Sequence, residues 1–241
     1  MSGGDPPLAT LTDVERAVVG CFRCPRLVAW REEVARVKRA AFADQEYWGR
    51  PLPGFGDPAA RVYVLGLAPA AHGGNRTGRI FTGDRSGDWL FAALHRAGFA
   101  NQAHSVSRDD GLALRDCFIA AAVRCAPPAN RPTPTERDAC LPYAVRELEL
   151  MESVRVVVCL GGFAWDAALR LRAAIGEPTP RPRPRFGHGV ELAGERFALL
   201  GCFHVSQQNT FTGKLTEPML DDVFARAREI AGGERPRTRA R

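Results

Sequence analysis

Hydrophobic positions along this chain form short continuous runs, separated by longer segments in which they recur every three or four residues. Three runs, at residues 61–65, 117–123 and 154–160, are apolar almost throughout. Continuous apolar runs of this length with β-branched and aromatic residues are typical of strands buried on both faces of a sheet. Near the C-terminal end, Glu191-Leu192 and residues 196–200 predict a short hairpin or edge pair around Gly194.

Segments of helical periodicity lie between and around these runs. They cover residues 12–20, 25–43, 88–97, 135–151, 163–174 and 217–231, with Ser86 and Thr135 as N-caps of the third and fourth. Alternation of strand, loop and helix is typical of a parallel sheet with helices on both faces. We therefore expect a single α/β domain over residues 12–232 with a central, mostly parallel four-stranded sheet. Residues 1–11 are expected to be disordered, and 233–241 to form a basic tail.

The stretch after the first strand is the most distinctive part of the chain. Residues 66–84 contain too many glycines for a helix, which predicts a long loop. Open α/β sheets bind ligands at the carboxyl ends of their strands, so this loop is a candidate binding site. The glycine spacing matches neither the dinucleotide-binding motif nor the P-loop, so neither chemistry is indicated.

Composition and charge narrow the class of partner. The chain has 241 residues with 45% hydrophobic and 25% charged residues, as expected of a globular protein. Its net charge of +6 favours a polyanionic partner, the alternative being a basic surface without a role. Proline-spaced Arg181, Arg183 and Arg185 predict an extended cationic loop suited to phosphate, while the tail arginines suit non-specific attraction to nucleic acid.

No apolar stretch is long enough for a membrane span, and no signal peptide is recognisable at the N-terminus. We expect a cytoplasmic monomer that does not bind membranes. In a reducing compartment, the chain's seven cysteines argue against a disulfide framework.

The cysteines divide into two groups. Cys117, Cys159 and Cys202 lie in apolar runs, where cysteine behaves as a small hydrophobe. Cys21 and Cys24 form a CxxC motif, and Cys125 and Cys140 lie in polar, proline-rich surroundings. These four could bind zinc or an iron–sulfur cluster, and spacing alone does not separate the two. The alternative is that they are unrelated reduced cysteines.

Two segments carry a family resemblance: Gly66-Leu-Ala-Pro-Ala-Ala-His-Gly-Gly-Asn-Arg-Thr-Gly-Arg-Ile-Phe-Thr-Gly-Asp84 and His204-Val-Ser-Gln-Gln-Asn209. They resemble the uracil-DNA glycosylase superfamily, and more narrowly its type-B, family-five enzymes of bacteria and archaea. The second segment departs from the family's His-Pro-Ser loop, with Val205 in place of proline. The resemblance covers about Cys21 to Ala231. It implies a [4Fe–4S] cluster held by Cys21, Cys24, Cys125 and Cys140, with a structural role.

The resemblance also assigns the candidate catalytic residues. An enzyme that excises a base must flip it out and stack it, and Phe81 is the candidate ring, the alternative being a core aromatic. Asp84 would position water or stabilise the charge that develops on the sugar, the alternative being a helix cap. His204 would donate to the departing uracil. Asn130 would read the base edge, the alternative being a turn asparagine.

The remaining candidates form two sets. The expected base pocket also includes Gly66, Ala68, Ala70, His72 and Asn75, with hydrogen bonding inside the loop as the favoured alternative for the last two. The expected DNA contacts are Ser206, Gln207 and Asn209, supported by Arg185 and Lys214. Alanines in the strand at 118–122, where other glycosylase families place a base-reading asparagine, suggest a roomier pocket. The family likewise accepts hypoxanthine besides uracil.

These features predict a monofunctional DNA glycosylase of base excision repair, acting on DNA that contains uracil or other deaminated bases. No lysine lies in either loop to form a Schiff base, with Lys214 the nearest, so lyase activity is not expected. The alternatives are a non-catalytic iron–sulfur module that binds nucleic acid, and a hydrolase acting on a nucleotide-sized substrate.

Overall fold

A mixed sheet forms the centre of the computed structural model, which describes residues 8–233. Its strands are β1 (Phe55–Gly56), β2 (Val62–Gly66), β3 (Cys117–Ala121), β4 (Val156–Leu160), β5 (Glu191–Leu192) and β6 (Ala198–Cys202), in the spatial order β1-β3-β2-β4-β6-β5. The inner four strands are parallel, and the two-residue strands β1 and β5 add antiparallel edges.

The expected count of four strands is therefore wrong. The edge strand β1, which the sequence did not indicate, has two residues and is too short to produce a hydrophobic pattern. The expected pairing around Gly194 exists, since Glu191–Leu192 pairs with Leu199 and Leu200. However, β6 is an inner strand that also pairs with β4. The predicted tail beyond Gly233 and residues 1–7 of the predicted disordered N-terminus lie outside the described residues.

Helices lie on both faces of the sheet. They are α1 (Leu11–Val19), α2 (Pro25–Val37), α3 (Gly74–Thr77), α4 (Arg85–Arg96), α5 (Pro134–Leu150), α6 (Gly162–Ala174), α7 (Gln207–Phe211) and α8 (Glu217–Gly232). Between residues 8 and 233, no helix is both long and apolar enough to cross a membrane.

Several helix boundaries differ from the sequence prediction. Asp84, not Ser86, is the N-cap of α4, and Thr133, not Thr135, caps α5 through a capping box with Glu136. The periodicity at 25–43 breaks at Val37 and resumes as a short 3-10 helix. The glycine-rich stretch contains the single turn α3, against expectation. For α4 and α5 the side-chain cap at the helix end decides the boundary, and a periodicity does not contain that contact.

The core consists of two layers separated by the sheet. Along β2, Val62 and Val64 pack into the layer beneath α4 and α8, whereas Tyr63 and Leu65 pack into the layer beneath α5 and α6. Alternate residues of a strand point to opposite faces, so a strand covered on both sides must be apolar at every position. Cys117, Cys159 and Cys202 are buried in these layers, which confirms their role as small hydrophobes.

One polar network is buried within the second layer. The Tyr63 hydroxyl donates to Glu147 Oε2 at 2.6 Å, and Arg124 forms an ion pair with the same oxygen. Burial raises the pKa of Tyr63, which keeps its hydroxyl protonated as a donor. The network joins β2, the loop after β3 and helix α5. The loop that carries Cys125 is thereby anchored to the sheet.

We expect Glu147→Gln to destabilise the protein by about 3–5 kcal/mol, because it leaves the buried Arg124 guanidinium without its counter-charge. The measurement is the free energy of unfolding in urea. The matched control is Glu149→Gln on the same helix, whose half-exposed partner is Arg146; it should cost less than about 1 kcal/mol. Equal losses in the two variants would contradict the role assigned to the network.

Candidate active site

The carboxyl ends of the four parallel strands meet at one edge of the sheet and carry the candidate catalytic segments. The glycine-rich loop, residues 67–83, follows β2. The histidine loop, residues 203–206, follows β6, and Gly161 follows β4 between them. The two segments of the family resemblance are therefore neighbours in space, although more than a hundred residues separate them in the sequence.

Phe81 and His204 face one another at this edge. Their ring centroids are 6.3 Å apart with an interplanar angle of 40°. The Phe81 ring lies against the backbone of Gly66, where a Cβ atom would be 2.9 Å from the ring Cζ. Any side chain at position 66 would displace the ring. Gly66 thus contributes to the candidate site because its lack of a side chain leaves room for the Phe81 ring.

Phe81 adopts an uncommon backbone conformation. Its φ of +53° is in the left-handed region, which bulky residues avoid at a cost of order 1–3 kcal/mol. The ring is 7% exposed and also contacts the layer beneath α4. The alternative of a core aromatic therefore describes its burial, but not its strained backbone. Such strain is concentrated at functional sites, where the surrounding structure holds it in place.

Asp84 caps helix α4 and is also packed beneath the glycine-rich loop. Its Oδ1 accepts a hydrogen bond from the Gly87 N–H at 3.0 Å, and its Oδ2 lies so close to Gly73 that no side chain fits there. Burial raises the pKa of Asp84, although backbone N–H groups of Gly87 and Ser86 oppose the shift. The alternative role as a helix cap is thus real. One oxygen serves the cap, and the other faces the loop.

His204 is held in a poorly solvated position. Removal from water lowers the pKa of its imidazole to about 4, so the ring is neutral at pH 7. The Asn209 side chain donates to the His204 carbonyl at 2.8 Å and fixes the start of α7 against the histidine loop. A neutral imidazole can donate one hydrogen bond without introducing a charge.

The other residues expected in the base pocket have contacts within the fold. The His72 Nδ1 is 3.0 Å from the Tyr47 hydroxyl, and the Asn75 amide donates to the Arg31 carbonyl at 3.2 Å. The carbonyl of Ala70 accepts from the backbone of Gly73 and Asn75. Ala68 packs against the cysteine group. The His72 and Asn75 side chains thus bond to residues outside the glycine-rich loop and not inside it, contrary to the favoured alternative, while a direct role with the base stays a prediction.

Two buried arginines that the sequence analysis missed hold the glycine-rich loop in shape. Arg76 donates to Gln45 and to the carbonyls of His72 and Gly83. Arg79 donates to Thr82, Ser105 and Asp110, and it also reaches the carbonyl of Arg108. The sequence did contain a signal for this role, because the loop has two arginines and no acidic residue before Asp84.

The ion pair between Arg79 and Asp110 affects the pKa of the Asp110 carboxyl group. Burial by itself would raise the pKa of Asp110, but the hydrogen bonds from Arg79 and from the backbone of residues 106, 107 and 112 lower it to about 2. Asp110 therefore remains charged at neutral pH and keeps its hold on Arg79. Together, the two arginines make a segment whose regular structure is the single turn α3 into a fixed support for Phe81 and Asp84.

Asn130 lies at the exposed end of a short 3-10 turn. It has a φ of +54°, and the preceding Ala129 has a φ of +52°. Asparagine tolerates this conformation, so the geometry matches the alternative of a turn residue. Within residues 8–233, no hydrogen bond joins Asn130 to Phe81 or His204. Its role in reading the base stays a prediction.

The predicted DNA contacts lie on the surface around the histidine loop. Ser206 is the N-cap residue of α7, Gln207 is exposed in the first turn of that helix, and Asn209 is bound to His204. Lys214 lies 4.9 Å from the Phe203 ring centroid. Arg185 is exposed, whereas its neighbour Arg183 forms an ion pair with Asp166. Of the proline-spaced cluster, Arg183 is therefore partly neutralised.

The four candidate metal ligands converge from three segments of the chain. Cys21, Cys24, Cys125 and Cys140 line one cavity together with Arg124 and Tyr143, and none of them forms a disulfide. Burial raises the pKa of Cys24, of Cys140 and of Cys125, the last to about 12. Within residues 8–233, no group of three or more Cys, His, Asp or Glu side chains is arranged to hold a single metal ion.

Comparison with known proteins gives a family. The sequence model of the uracil DNA glycosylase superfamily matches residues 53–228. The type-5 uracil-DNA glycosylase of Mycobacterium tuberculosis is 58% identical over 93% of this chain and 83% of its own length. The Mycobacterium leprae protein of the same name is 53% identical over 96% and 99%, and that of Thermus thermophilus 49% over 90% and 96%. The match spans both loops and nearly the whole sheet, so the chain belongs to the uracil DNA glycosylase superfamily.

Proposed function

We propose that this chain is a monofunctional uracil-DNA glycosylase. It hydrolyses the bond between uracil and deoxyribose in DNA and leaves an abasic site. The observation that carries the proposal is that the rings of Phe81 and His204 face each other at the carboxyl edge of the sheet. The backbone of Phe81 is strained, and Asp84 follows it closely in the chain. The names of the relatives, all type-5 uracil-DNA glycosylases, agree with it.

The aromatic and imidazole rings act on the base. A flipped uracil needs a π-face on which to stack, and the Phe81 ring provides one whose position is fixed by Gly66. As the bond to the sugar breaks, negative charge develops on the uracil oxygen. The neutral His204 can donate a hydrogen bond to that oxygen, and this bond strengthens as the charge grows. Stabilisation that increases toward the transition state raises the rate.

Asp84 acts on the sugar side. The breaking bond leaves positive charge on the deoxyribose, which an ionised carboxylate stabilises, and the same carboxylate can orient the attacking water. Burial of Asp84 makes its negative charge poorly solvated, so its attraction for the sugar cation is less screened than it would be in water. No lysine lies within either loop, and Lys214 is exposed, so hydrolysis without strand cleavage is expected.

The range of bases is the finer part of the proposal. The strand segment Ile119-Ala-Ala-Ala122 presents only small side chains beyond its isoleucine near the end of β3. A pocket lined by small residues can accept a purine, and we propose hypoxanthine as a second substrate. Asn130 would reach the base only from the exposed turn after Pro128.

The DNA backbone is proposed to contact the surface beside the histidine loop. Ser206 and Gln207 lie at the beginning of α7, where side-chain and backbone donors can meet phosphate oxygens. Arg185 and Lys214, the two basic residues among the expected DNA contacts, would add positive charge to this surface. Asn209 supports this surface indirectly through its hydrogen bond to the His204 carbonyl.

We further propose that Cys21, Cys24, Cys125 and Cys140 hold a [4Fe–4S] cluster. The cavity offers four thiols, and no histidine or carboxylate lines it, a donor set that suits such a cluster. A single zinc ion needs all four sulfurs within about 2.3 Å of one point, whereas each cysteine of a cluster binds its own iron. When bound, the group would join α1 and α2 to the loop after β3 and to α5.

Asp84→Asn should abolish base release but keep or raise stability, because asparagine is as good an N-cap and removes a buried charge. Asp84→Ala should lose both activity and about 1 kcal/mol of capping energy. The measurements are alkali-revealed breaks in uracil- and hypoxanthine-containing oligonucleotides, with thermal unfolding alongside.

The control for capping is Thr10→Ala, which removes the capping box of α1 and touches none of the proposed base or DNA contacts. It should lower stability and leave base release intact. An active Asp84→Asn variant would return Asp84 to a purely structural role. Wild-type protein that binds DNA but releases neither base would favour the non-catalytic module, and release only from free nucleotides would favour the small-substrate hydrolase.

The dependence of the single-turnover rate on pH should have one acidic limb. Ionised Asp84 is required, so the rate should fall as pH is lowered through the raised pKa of that carboxyl. Removal from water lowers the pKa of His204 to about 4, so His204 should contribute no step near the ordinary histidine value of 6.5. A limb near 6.5 that disappears in His204→Asn would contradict the neutral-donor role.

Removing one proposed ligand should remove the cluster. We expect Cys140→Ser to abolish the visible absorbance and most of the bound iron of the purified protein. The matched control is Cys159→Ser, a cysteine equally buried but located in β4. Retention of iron in Cys140→Ser, or an equal loss in Cys159→Ser, would rule out the assigned ligand set.

A further inference from the structure

Arg31 of helix α2 is a fully buried guanidinium beside the cysteine cavity. Only 1% of the residue is exposed. Its Nη1 donates to the Cys125 sulfur at 3.1 Å and to the Cys21 carbonyl at 3.1 Å. One side chain therefore contacts two of the segments that supply the proposed ligands.

The positive charge of Arg31 has little compensation from carboxylates. Its ion-pair partner is Glu32, at 3.8 Å and with more than half of its side chain exposed. Within the described part of the chain, Arg31 Nε is buried without any hydrogen-bond partner. The second buried arginine at the cavity, Arg124, differs in this respect, because Glu147 neutralises it.

A buried charge without a counter-charge is strongly unfavourable, so such an arrangement is retained where an anion completes it. Within hydrogen-bonding reach, Arg31 contacts a cysteine sulfur and a backbone carbonyl. The proposed base-excision chemistry, at the other end of the glycine-rich loop, assigns the base to Phe81 and His204 and the sugar to Asp84. It leaves no role there for Arg31. The anion that balances the charge of Arg31 is therefore expected in the cysteine cavity and not in DNA.

We propose that Arg31 is a positioning residue that balances the negative charge of the cysteine-held cluster and hydrogen-bonds to its Cys125 ligand. The inference rests on the proposed cluster. Four thiolates give such a cluster a net negative charge, which a neighbouring guanidinium stabilises. Hydrogen bonds to the sulfurs also raise the reduction potential, so Arg31 makes the cluster harder to oxidise and slower to leave.

Activity alone would not test this role. The Arg31 carbonyl accepts the hydrogen bond of Asn75, which lies in the glycine-rich loop, so a shift of α2 would disturb the candidate site as well. Iron content, the rate of cluster loss and the reduction potential report on the cluster itself.

The experiment compares three variants purified without air: Arg31→Lys keeps the charge, Arg31→Gln keeps a donor, and Arg31→Met keeps neither. Iron per chain is measured first, and then the decay of visible absorbance in the presence of ferricyanide or a chelator. We expect Arg31→Met to lose the cluster about tenfold faster than wild type. The rate of cluster loss should be intermediate in Arg31→Gln and nearest to wild type in Arg31→Lys. The reduction potential should be highest in wild type and decrease from Arg31→Lys to Arg31→Gln to Arg31→Met.

Arg36→Met is the matched control, because Arg36 lies on the same helix in an exposed ion pair with Glu33. It should match wild type in every readout. Wild-type rates and potentials in both Arg31→Met and Arg31→Gln would overturn the inference while leaving the cluster in place. Wild-type protein without iron, yet active on uracil-containing DNA, would overturn the cluster proposal and the inference with it. Should Arg31→Met fail to fold, the order of the Lys and Gln variants decides.

Discussion

The candidate site depends on the close approach of the Phe81 ring to the backbone of Gly66. A ring can rest on the end of a strand only where that strand has no side chain, and only if the incoming loop turns with positive φ at the phenylalanine. The strain in Phe81 is therefore the cost of placing an aromatic face beside His204. Rigid packing at this point would hold the stacking surface proposed for a flipped base in one position.

Guanidinium groups, and not regular secondary structure, hold this strained loop. Arg76 and Arg79 each donate to several oxygens of the loop and its neighbours, so they replace the backbone hydrogen bonds that a loop lacks. The depressed pKa of Asp110 means that this support is fully charged at neutral pH. Asp84 shows the opposite tendency, since burial raises its pKa and makes the ionised form of its carboxyl group energetically unfavourable. In the proposed mechanism, which needs an ionised Asp84, stability and function therefore oppose one another at this residue, whereas the ionised Asp110 stabilises the loop.

The cysteine cavity behaves as a second, smaller core. It joins the N-terminal helices to the sheet at a place where few apolar side chains are available, and Leu27 and Val123 are the main ones. Two buried arginines border it, and their different surroundings separate their roles. Arg124 belongs to the Glu147 network and anchors the loop, whereas Arg31 carries an unbalanced charge toward Cys125. The proposed cluster would supply both the missing packing and the missing negative charge.

The sequence by itself determined the three parallel inner strands β2, β3 and β4, the glycine-rich loop and the sorting of cysteines into core and cavity groups. Those features arise from local composition, since an apolar run such as Val156–Leu160 favours a buried strand and closely spaced glycines such as Gly73 and Gly74 disfavour a continuous helix. Only the tertiary structure decided the edge strand β1, the inner position of β6, the Asp84 and Thr133 caps, the hydrogen bond of Asn75 to helix α2 and the exposed turn of Asn130. Each of these depends on a partner far away in the sequence or on a choice between adjacent polar residues of similar propensity. A pattern along one chain does not record which of the competing partners is close enough to bind.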